Sequence, residues 1–310
     1  MSAPGPGDGV PRYDDLPRLG ELDIRHSWDV LSPEEGTLAF ADAEAVRSAA
    51  RSVSLGETIP LNLPIDAFDP PLFGRPRVEH RIVEAGRNEV EDVLGSLNPQ
   101  ASSQLDGLAH VRAREHGFFG GYQTVREASE RAGMHHWARR GIAARGVLLD
   151  VEASRRRAGR PHDPFLGEAF SPEELLSVAK EQGVELRPGD AWLVRTGWVR
   201  ARLASASGDG GGAWNGLLAS EDMARTLWDR RVCLVGSDNP AVENAPGDRR
   251  VGSLHRRLIP ALGMPLMELL ELETLARRCA ELGRWDFQLV SVPLPVRGGV
   301  SSPSNAMALL

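Results

Sequence analysis

The sequence predicts an α/β fold: a single domain built on a mixed, largely buried β-sheet with flanking helices. The first observation is that helix-like and strand-like segments alternate after residue 30. The second is that several strand-like segments are short apolar runs, such as GVLLDV at 146–151, which is typical of strands buried on both faces. The third is that no long linker interrupts the alternation, which favours one domain over residues 31–310.

Each predicted element has a local reason. Ser32 and Ser171 each precede Pro-Glu-Glu, which offers a helix an N-cap, a first-turn proline and early acidic residues. Gly183 supplies a C-terminal stop for the second of these helices. Strands are predicted at apolar runs that lie between these helical segments. The predicted helices are 32–53, 126–146, 171–183, 220–231 and 267–283, and the predicted strands are 58–65, 146–151, 190–198, 232–243 and 285–296.

Two segments are predicted to lie outside the regular elements. Residues 1–30 form an N-terminal arm, either flexible or packed at an interface, because Pro, Gly and Asp are frequent in its first 20 residues. The Gly-rich segment 205–216 lacks the Lys-Ser/Thr pair of a phosphate-binding loop. We therefore expect a flexible surface loop there.

Composition excludes several classes of function. The formal net charge is −7 and no basic run exceeds the arginine triplet at 155–157, so we expect no nucleic-acid partner. The chain has no run of about 18 apolar residues and no signal-like N-terminus, so we expect no membrane partner and a cytoplasmic location. Cys233 and Cys279 lack CxxC spacing and are predicted to be buried free thiols.

The segment SSQLDGLAHV at 102–111 contains a candidate site. In an extended strand Gln104 and Asp106 point to the same side, and Gln100 joins them if the strand continues backwards. His110 lies four residues after Asp106, so a helical turn would return its imidazole over the carboxylate. This group suits oxygen-rich metal coordination with a general base. The alternative is that Asp106 caps a turn and His110 is a hydrogen-bonded core histidine.

A second polar pair lies downstream, in SLHRRLIPALGMPLMELLEL. His255 and Glu268 flank a segment that contains Pro and Gly, and Glu268 is embedded between Met267 and Leu269. A carboxylate in such apolar surroundings is costly unless it is paired, protonated or bound to a metal. The pair is therefore a candidate extension of the first site.

These residues resemble the motif of the cyclase family of metal-dependent hydrolases, which includes bacterial kynurenine formamidase and isatin hydrolase. That motif is H-x-G-T-H-x-D-x-P-x-H, with a His and a Glu far downstream. Further segments, among them VGSDNPAVE and GRWDFQLVSVPLPVRGGVSSPSN, resemble a long-chain branch that carries a Q-x-D-x-L-A-H motif, over about residues 55–310. The motif positions are taken here by Gln100, Gln104, Asp106 and His110, and the downstream positions by His255 and Glu268.

The resemblance implies a swivelling β/β/α fold, as in kynurenine formamidase, and a homodimer or homotetramer that acts on a small molecule. It also implies a divalent metal, manganese or zinc. Two family histidines are glutamines here, and an amide oxygen suits manganese or magnesium better than zinc. The glutamines either complete such a site or fill it with hydrogen bonds. Leu108 replaces the motif proline, which loosens the turn before His110. The implied metal ligands are Gln100, Gln104, Asp106, His255 and Glu268.

Three functional hypotheses follow. The first is a hydrolase that cleaves a carbon–nitrogen bond (amide, lactam or formamide) or a lactone, with His110 as general base and a metal-activated water. The second is a metal-independent cyclase or dehydratase of secondary metabolism, with His110 as base and Glu268 or His255 as acid. The third is a non-catalytic binding protein on the same fold, which the retained polar groups disfavour.

The substrate is expected to be small and partly aromatic. Phe118, Phe119 and Tyr122, in EHGFFGGYQ shortly after His110, are predicted to form a lid or wall over the site. The alternative places these aromatic residues in the core or at a subunit interface. Asp238, in GSDNP, is predicted to orient a ligand, or else only to shape its turn.

Overall fold

A mixed β-sheet lies at the centre of the computed structural model, in which residues 9–205 and 212–310 are described. Within these residues, three two-stranded sheets accompany it. Most strands are short, and every predicted strand overlaps an observed one. In chain order the strands are β1 (Arg18–Leu19), β2 (Ile24–Arg25), β3 (Thr58–Pro60), β4 (Glu79–Gly86), β5 (Glu89–Gly95), β6 (Gln104–Asp106), β7 (Ile142–Asp150), β8 (Ala169–Phe170), β9 (Ala191–Arg195), β10 (Gly216–Leu217), β11 (Leu234–Ser237), β12 (Leu266–Glu268), β13 (Asp286–Ser291), β14 (Ser301–Pro303) and β15 (Ala306–Leu309).

The helices are mostly two to three turns long. Ser171 and Ser220 accept hydrogen bonds from the backbone N–H groups three residues on, as expected of N-caps. The α-helices are α1 (Ala43–Arg51), α2 (Val125–Arg131), α3 (Met134–Arg140), α4 (Val151–Arg157), α5 (Pro172–Glu181), α6 (Trp198–Ala204), α7 (Glu221–Asp229), α8 (Leu254–Arg256) and α9 (Glu273–Leu282). A π-helical turn, Arg257–Leu262, continues α8, and 3₁₀ turns occur at Tyr13–Asp15, Gly20–Leu22, Gly36–Phe40, Leu72–Gly74, Arg114–His116 and Phe119–Gly121.

Nine strands form the main sheet in the order β14-β6-β12-β11-β9-β7-β13-β15-β3. The central strands β12, β11, β9 and β7 run parallel to one another, whereas the outer pairs are antiparallel. Nearly all residues of β7, β9 and β11 are buried. The predicted fold class, a single α/β domain with a mixed and largely buried sheet, is therefore confirmed.

Two predicted helices are each divided in the structure. The segment 32–53 is divided between the 3₁₀ turn Gly36–Phe40 and α1, because the Asp42 side chain accepts from two N–H groups and starts a new helix there. The segment 126–146 divides into α2 and α3, and its last residues already belong to β7. Gly141, with φ +70°, ends α3 and lets the chain turn into the strand.

The predicted helix 267–283 begins too early. Gly263, with φ +71°, ends the π-helical turn, and the chain then enters β12 rather than a helix. Glu268 therefore lies on a strand, and α9 begins only at Glu273. The strand forms because β12 pairs with β6 on one side and β11 on the other.

The hairpin of β4 and β5 was not predicted from the sequence. Its strands pair with each other over residues 79–95 and are largely exposed on both faces. Ile82 and Val90 are 70% and 68% exposed.

The homodimer or homotetramer implied by the family resemblance stays a prediction.

The 3₁₀ turn Tyr13–Asp15 and the residues just before it pack against the α7 region. Tyr13 is buried and its N–H donates to Asp229, while the Trp228 indole donates to the Pro11 carbonyl. The arm boundary at residue 30 stays a prediction, and residues 1–8 and 206–211, including much of the predicted Gly-rich loop, lie outside the described residues. Cys233 and Cys279 are free and buried, as predicted. None of the helices within 9–205 and 212–310 combines the length and apolarity needed to traverse a bilayer.

Replacing Gly36 by alanine is expected to destabilise the fold strongly. Gly36 has φ +57°, and an added Cβ would lie 2.1 Å from the Gly263 carbonyl oxygen, so backbone strain and a clash combine. We expect the free energy of unfolding to fall by about 3 kcal/mol, measured by urea denaturation. Gly56→Ala is the matched control, since Gly56 has φ +69° but open space around it, and should cost only about 1 kcal/mol. Equal losses in the two variants would contradict the steric explanation.

Candidate active site

The strands β6 and β12 bring the two sequence segments together. They pair antiparallel, with Gln104 directly opposite Glu268 and Asp106 opposite Leu266. Directly opposite residues share a face of the sheet, and side chains alternate along each strand. Leu105, on the other face, is fully buried in the core. The pairing thus places Gln104, Asp106 and Glu268 on one buried face.

Glu268 is a buried carboxylate whose hydrogen bonds are supplied by three neighbours. Its Oε2 accepts from Gln104 Nε2 at 2.5 Å, and its Oε1 accepts from the Val242 N–H at 3.0 Å. The same Oε1 lies 3.0 Å from His255 Nε2. These partners offset the cost of burying the carboxylate in its apolar segment.

His255 lies on α8 between two carboxylates. Its Nε2 faces Glu268, and its Nδ1 lies 2.5 Å from Oε2 of Glu243. The Ser253 hydroxyl donates to the other oxygen of Glu243 at 3.1 Å. Burial lowers the pKa of His255, but the charges of Glu243 and Glu268 outweigh it and hold this pKa well above its usual value. Without a metal ion, the two carboxylates therefore favour the protonated ring of His255, whereas a metal bound at Nε2 would require the neutral ring.

Asp106 and His110 form the outer part of the site. Gln100 Nε2 donates to Asp106 Oδ1 at 2.7 Å and lies 3.2 Å from His110 Nε2. His110 Nε2 is 3.6 Å from Asp106 Oδ2, so the imidazole returns over the carboxylate. Burial raises the pKa of Asp106 to about 6. The His110 side chain is 28% exposed whereas Asp106 is buried, so His110 lies between the buried carboxylates and solvent.

The residues present fit a divalent metal ion. Ligand atoms of Asp106, His255 and Glu268 all lie within 4.8 Å of one another. Gln104 Oε1 is buried without a hydrogen-bond partner, which makes it a candidate fourth ligand. Two carboxylates, an imidazole and an amide oxygen suit manganese, and zinc also accepts such ligands. Gln100, by contrast, precedes β6 and uses its amide N–H groups on Asp106 and His110.

Four further residues were predicted to bind substrate. Phe118 and Phe119 are buried in apolar clusters, and Tyr122 packs beside Phe118. Asp238 accepts from the N–H groups of Thr196 and Gly197 and so shapes the turn between β9 and α6. None of the hydrogen bonds found within the described residues joins these four to the buried carboxylates. Their substrate-binding roles stay predictions.

Two residues near the site were not singled out from the sequence. Glu243 closes the predicted segment VCLVGSDNPAVE, but the signal that pointed to Glu268, an acid between apolar residues, is weaker here because Asn244 follows it. Arg75 donates through Nη1 to the Gln100 carbonyl. Burial lowers its pKa, and the negative charges of Asp106 and Glu268 act in the opposite direction. Its segment, PLFGRPR, carries no pattern that indicates a site, so only the fold reveals it.

Removing the charge of Glu243 is expected to weaken the hold of the site on the His255 proton. Glu243→Gln should lower the pKa of His255, which is measured by NMR titration of the imidazole in the presence of a chelator. Because that pKa lies above the usual 6.5 in the folded state, the pairing stabilises fully below about pH 6.5 and is lost as pH rises through the folded-state pKa. The variant should therefore lose about 1–3 kcal/mol, most at low pH. Glu91→Gln, an exposed hairpin control, should change neither quantity, and an unshifted His255 would contradict the assignment.

Comparison with known proteins adds a family match. A family model described as "Putative cyclase" matches residues 52–244, which include Gln100 to His110 and Glu243. His255 and Glu268 lie beyond the matched range. A search of the curated proteins found no match to this chain.

Solved structures share the fold. A novel cyclase is 24% identical, with a TM-score of 0.81, and the alignment covers 95% of this chain and 100% of that one. An isatin hydrolase bound to the product analogue thioisatinate is 15% identical, with a TM-score of 0.59 and coverage of 87% and 99%. Isatin hydrolase A from Ralstonia solanacearum is 14% identical, with a TM-score of 0.59 and coverage of 85% and 96%. At these identities the likeness concerns the fold.

Proposed function

This chain belongs to the cyclase family, and from that premise we propose that it is a hydrolase of small, partly aromatic substrates. The bond it cleaves is a carbon–nitrogen bond of an amide, lactam or formamide, or the ester bond of a lactone. The observation that carries this proposal is the convergence of Asp106, His255 and Glu268 beneath a partly exposed His110. Metal-assisted acyl hydrolysis uses this combination of a metal-binding site and a positioned base.

A divalent ion held by Asp106, His255 and Glu268, with Gln104 Oε1, would supply Lewis acidity and an activated water. His110 accepts a proton at Nε2 from the attacking water and returns it to the leaving nitrogen or oxygen. Gln100 Nε2 lies 3.2 Å from His110 Nε2, and an amide N–H can donate to that nitrogen when the ring proton is on Nδ1. Gln100 thus orients the base.

A second candidate function, the metal-independent cyclase or dehydratase, is supported by a separate observation. The amide groups of Gln100 and Gln104 already donate to Asp106 and Glu268, and the His255 imidazolium neutralises part of the negative charge. In that reaction His110 is the base. His255, on which the two carboxylates favour a proton, is then the proton donor, whereas Glu268 accepts hydrogen bonds from three neighbours.

Metal content and a substrate panel distinguish the candidates. Protein purified without chelator or His-tag is analysed by mass spectrometry, together with Asp106→Ala and the exposed control Asp92→Ala. Formanilides, lactams and lactones are then incubated with each protein, with and without added manganese or zinc. About one ion per chain, lost only in Asp106→Ala, together with cleavage of one substrate class, supports the hydrolase. Folded, metal-free protein that ignores added ions and cleaves nothing refutes it and favours the second candidate.

A further inference from the structure

Three residues form a rim beside the site: Phe73 and Arg75, which surround a turn before the hairpin, and Trp214, which lies near Glu243. The proposed function gives these three residues no role as metal ligands or as the base. Arg75 is half-buried, and the one hydrogen bond that the described residues give its guanidinium joins Nη1 to the Gln100 carbonyl. The remaining N–H groups of this cation are therefore available to a ligand.

Arg75 is also within electrostatic reach of the buried carboxylates. Burial lowers the pKa of Arg75, while the negative charges of Asp106 and Glu268 oppose that shift. The guanidinium nevertheless forms no ion pair with either of them in the described structure. The Arg75 guanidinium can therefore pair with the anionic group of a ligand that enters from outside. Asp106 and Glu268 repel that anionic group, which keeps it out of the deeper part of the site.

Phe73 presents an aromatic face next to this cation. It has φ +58° and is followed by Gly74 with φ +68°, so two consecutive left-handed residues turn its ring outward. The side chain is 59% exposed, and the Arg75 guanidinium lies 5.1 Å from its centroid. A left-handed conformation is costly for a residue other than glycine and is found disproportionately at functional sites.

Trp214 connects the other end of the rim to the site. Its ring lies edge-on to Phe73 with the centroids 5.9 Å apart. Its indole N–H donates to the backbone carbonyl of Glu243 at 2.9 Å, and the Glu243 side chain holds His255. The rim is thus joined to the site through Gln100 at one end and Glu243 at the other.

We propose that this rim binds an aromatic carboxylate substrate, with its ring against Phe73 and Trp214 and its carboxylate paired with Arg75. The inference rests on the proposed function, whose substrate class it narrows. Arginine binds carboxylates through two parallel hydrogen bonds, and aromatic side chains stack on planar ligands. A substrate held by its anion at the rim leaves its acyl group free to extend toward His110.

Direct binding of benzoate and of its neutral analogue benzamide tests the proposal without turnover. Dissociation constants come from calorimetry and from quenching of tryptophan fluorescence. We expect wild-type protein to prefer benzoate by about tenfold or more, as charge-assisted pairing implies. Arg75→Met should abolish that preference, whereas Phe73→Ala should weaken the binding of both benzoate and benzamide. Arg77→Met is the matched control, since Arg77 is exposed and pairs with Asp69, and should retain the preference.

Several results would overturn the proposal. One is equal affinity for the two ligands in wild-type protein, and another is a preference that survives Arg75→Met, which would mean that Arg75 only balances the buried carboxylates. If Arg75→Met does not fold, Arg75→Lys replaces it, and an undiminished preference there counts against two-pronged pairing. Cleavage of neutral amides without a preference for benzoate would refute carboxylate binding at the rim but not the hydrolase activity. A preference for benzoate without any cleavage would refute the hydrolase activity but not carboxylate binding at the rim.

Discussion

Replacement of His110 by alanine is expected to lower kcat by about 10²- to 10⁴-fold on any substrate that the chain turns over. His110 Nε2 lies 3.2 Å from Gln100 Nε2 and 3.6 Å from Asp106 Oδ2, so the ring nitrogen faces the buried carboxylates from the open side. Within the group described above, it is the histidine that is not held between two carboxylates. Both the hydrolase and the cyclase depend on it as the base.

The kinetic signature separates a lost base from a damaged site. With His110→Ala we expect KM to change little, because the imidazole acts mainly in the transition state, and added imidazole should restore part of kcat. His80→Ala is the matched control, since His80 pairs with Asp92 on the exposed hairpin and should leave kcat unchanged. Undiminished turnover in His110→Ala would remove the base from both mechanisms.

The local part of the site could be predicted from the sequence, whereas its pairings could not. Period-two alternation placed Gln104 and Asp106 on one face, and the four-residue spacing placed His110 over Asp106. That Glu268 lies opposite Gln104 depends on a strand pairing across 164 residues, which no local pattern encodes. The segment MELLELE also has helical periodicity, so tertiary pairing with β6 overrides the local preference.

The features that the sequence did not indicate have separate physical causes. Arg75 is a site neighbour only because the chain before the hairpin passes over Gln100, and the pattern of PLFGRPR does not indicate this. The hairpin strands are exposed on both faces, so their sequence lacks the apolar alternation by which half-buried strands are predicted. Phe119, for which the sequence left both a lid over the site and a core position open, packs against Gly263 in the core, and its role toward a substrate stays a prediction.

Replacement of Glu268 by leucine is expected to lower the free energy of unfolding by about 3–5 kcal/mol, measured in denaturant with a chelator present so that metal loss does not contribute. The change removes the acceptor of three donors at once: Gln104 Nε2, the Val242 N–H and the His255 imidazolium. Breaking a buried pair costs more than the pair contributed, because the remaining charge stays buried without its partner.

Glu268→Gln isolates the charge from the shape. It keeps the volume and one acceptor oxygen, so its loss should be smaller, about 1–3 kcal/mol. A double-mutant cycle of Glu268→Leu with Gln104→Leu should give a coupling of about 0.5–3 kcal/mol, since the two side chains share the 2.5 Å hydrogen bond. Glu91→Leu on the exposed hairpin provides the baseline. A loss below about 1 kcal/mol in Glu268→Leu would mean that the carboxylate is not held by these donors, and the buried site would then need an ion to balance its charge.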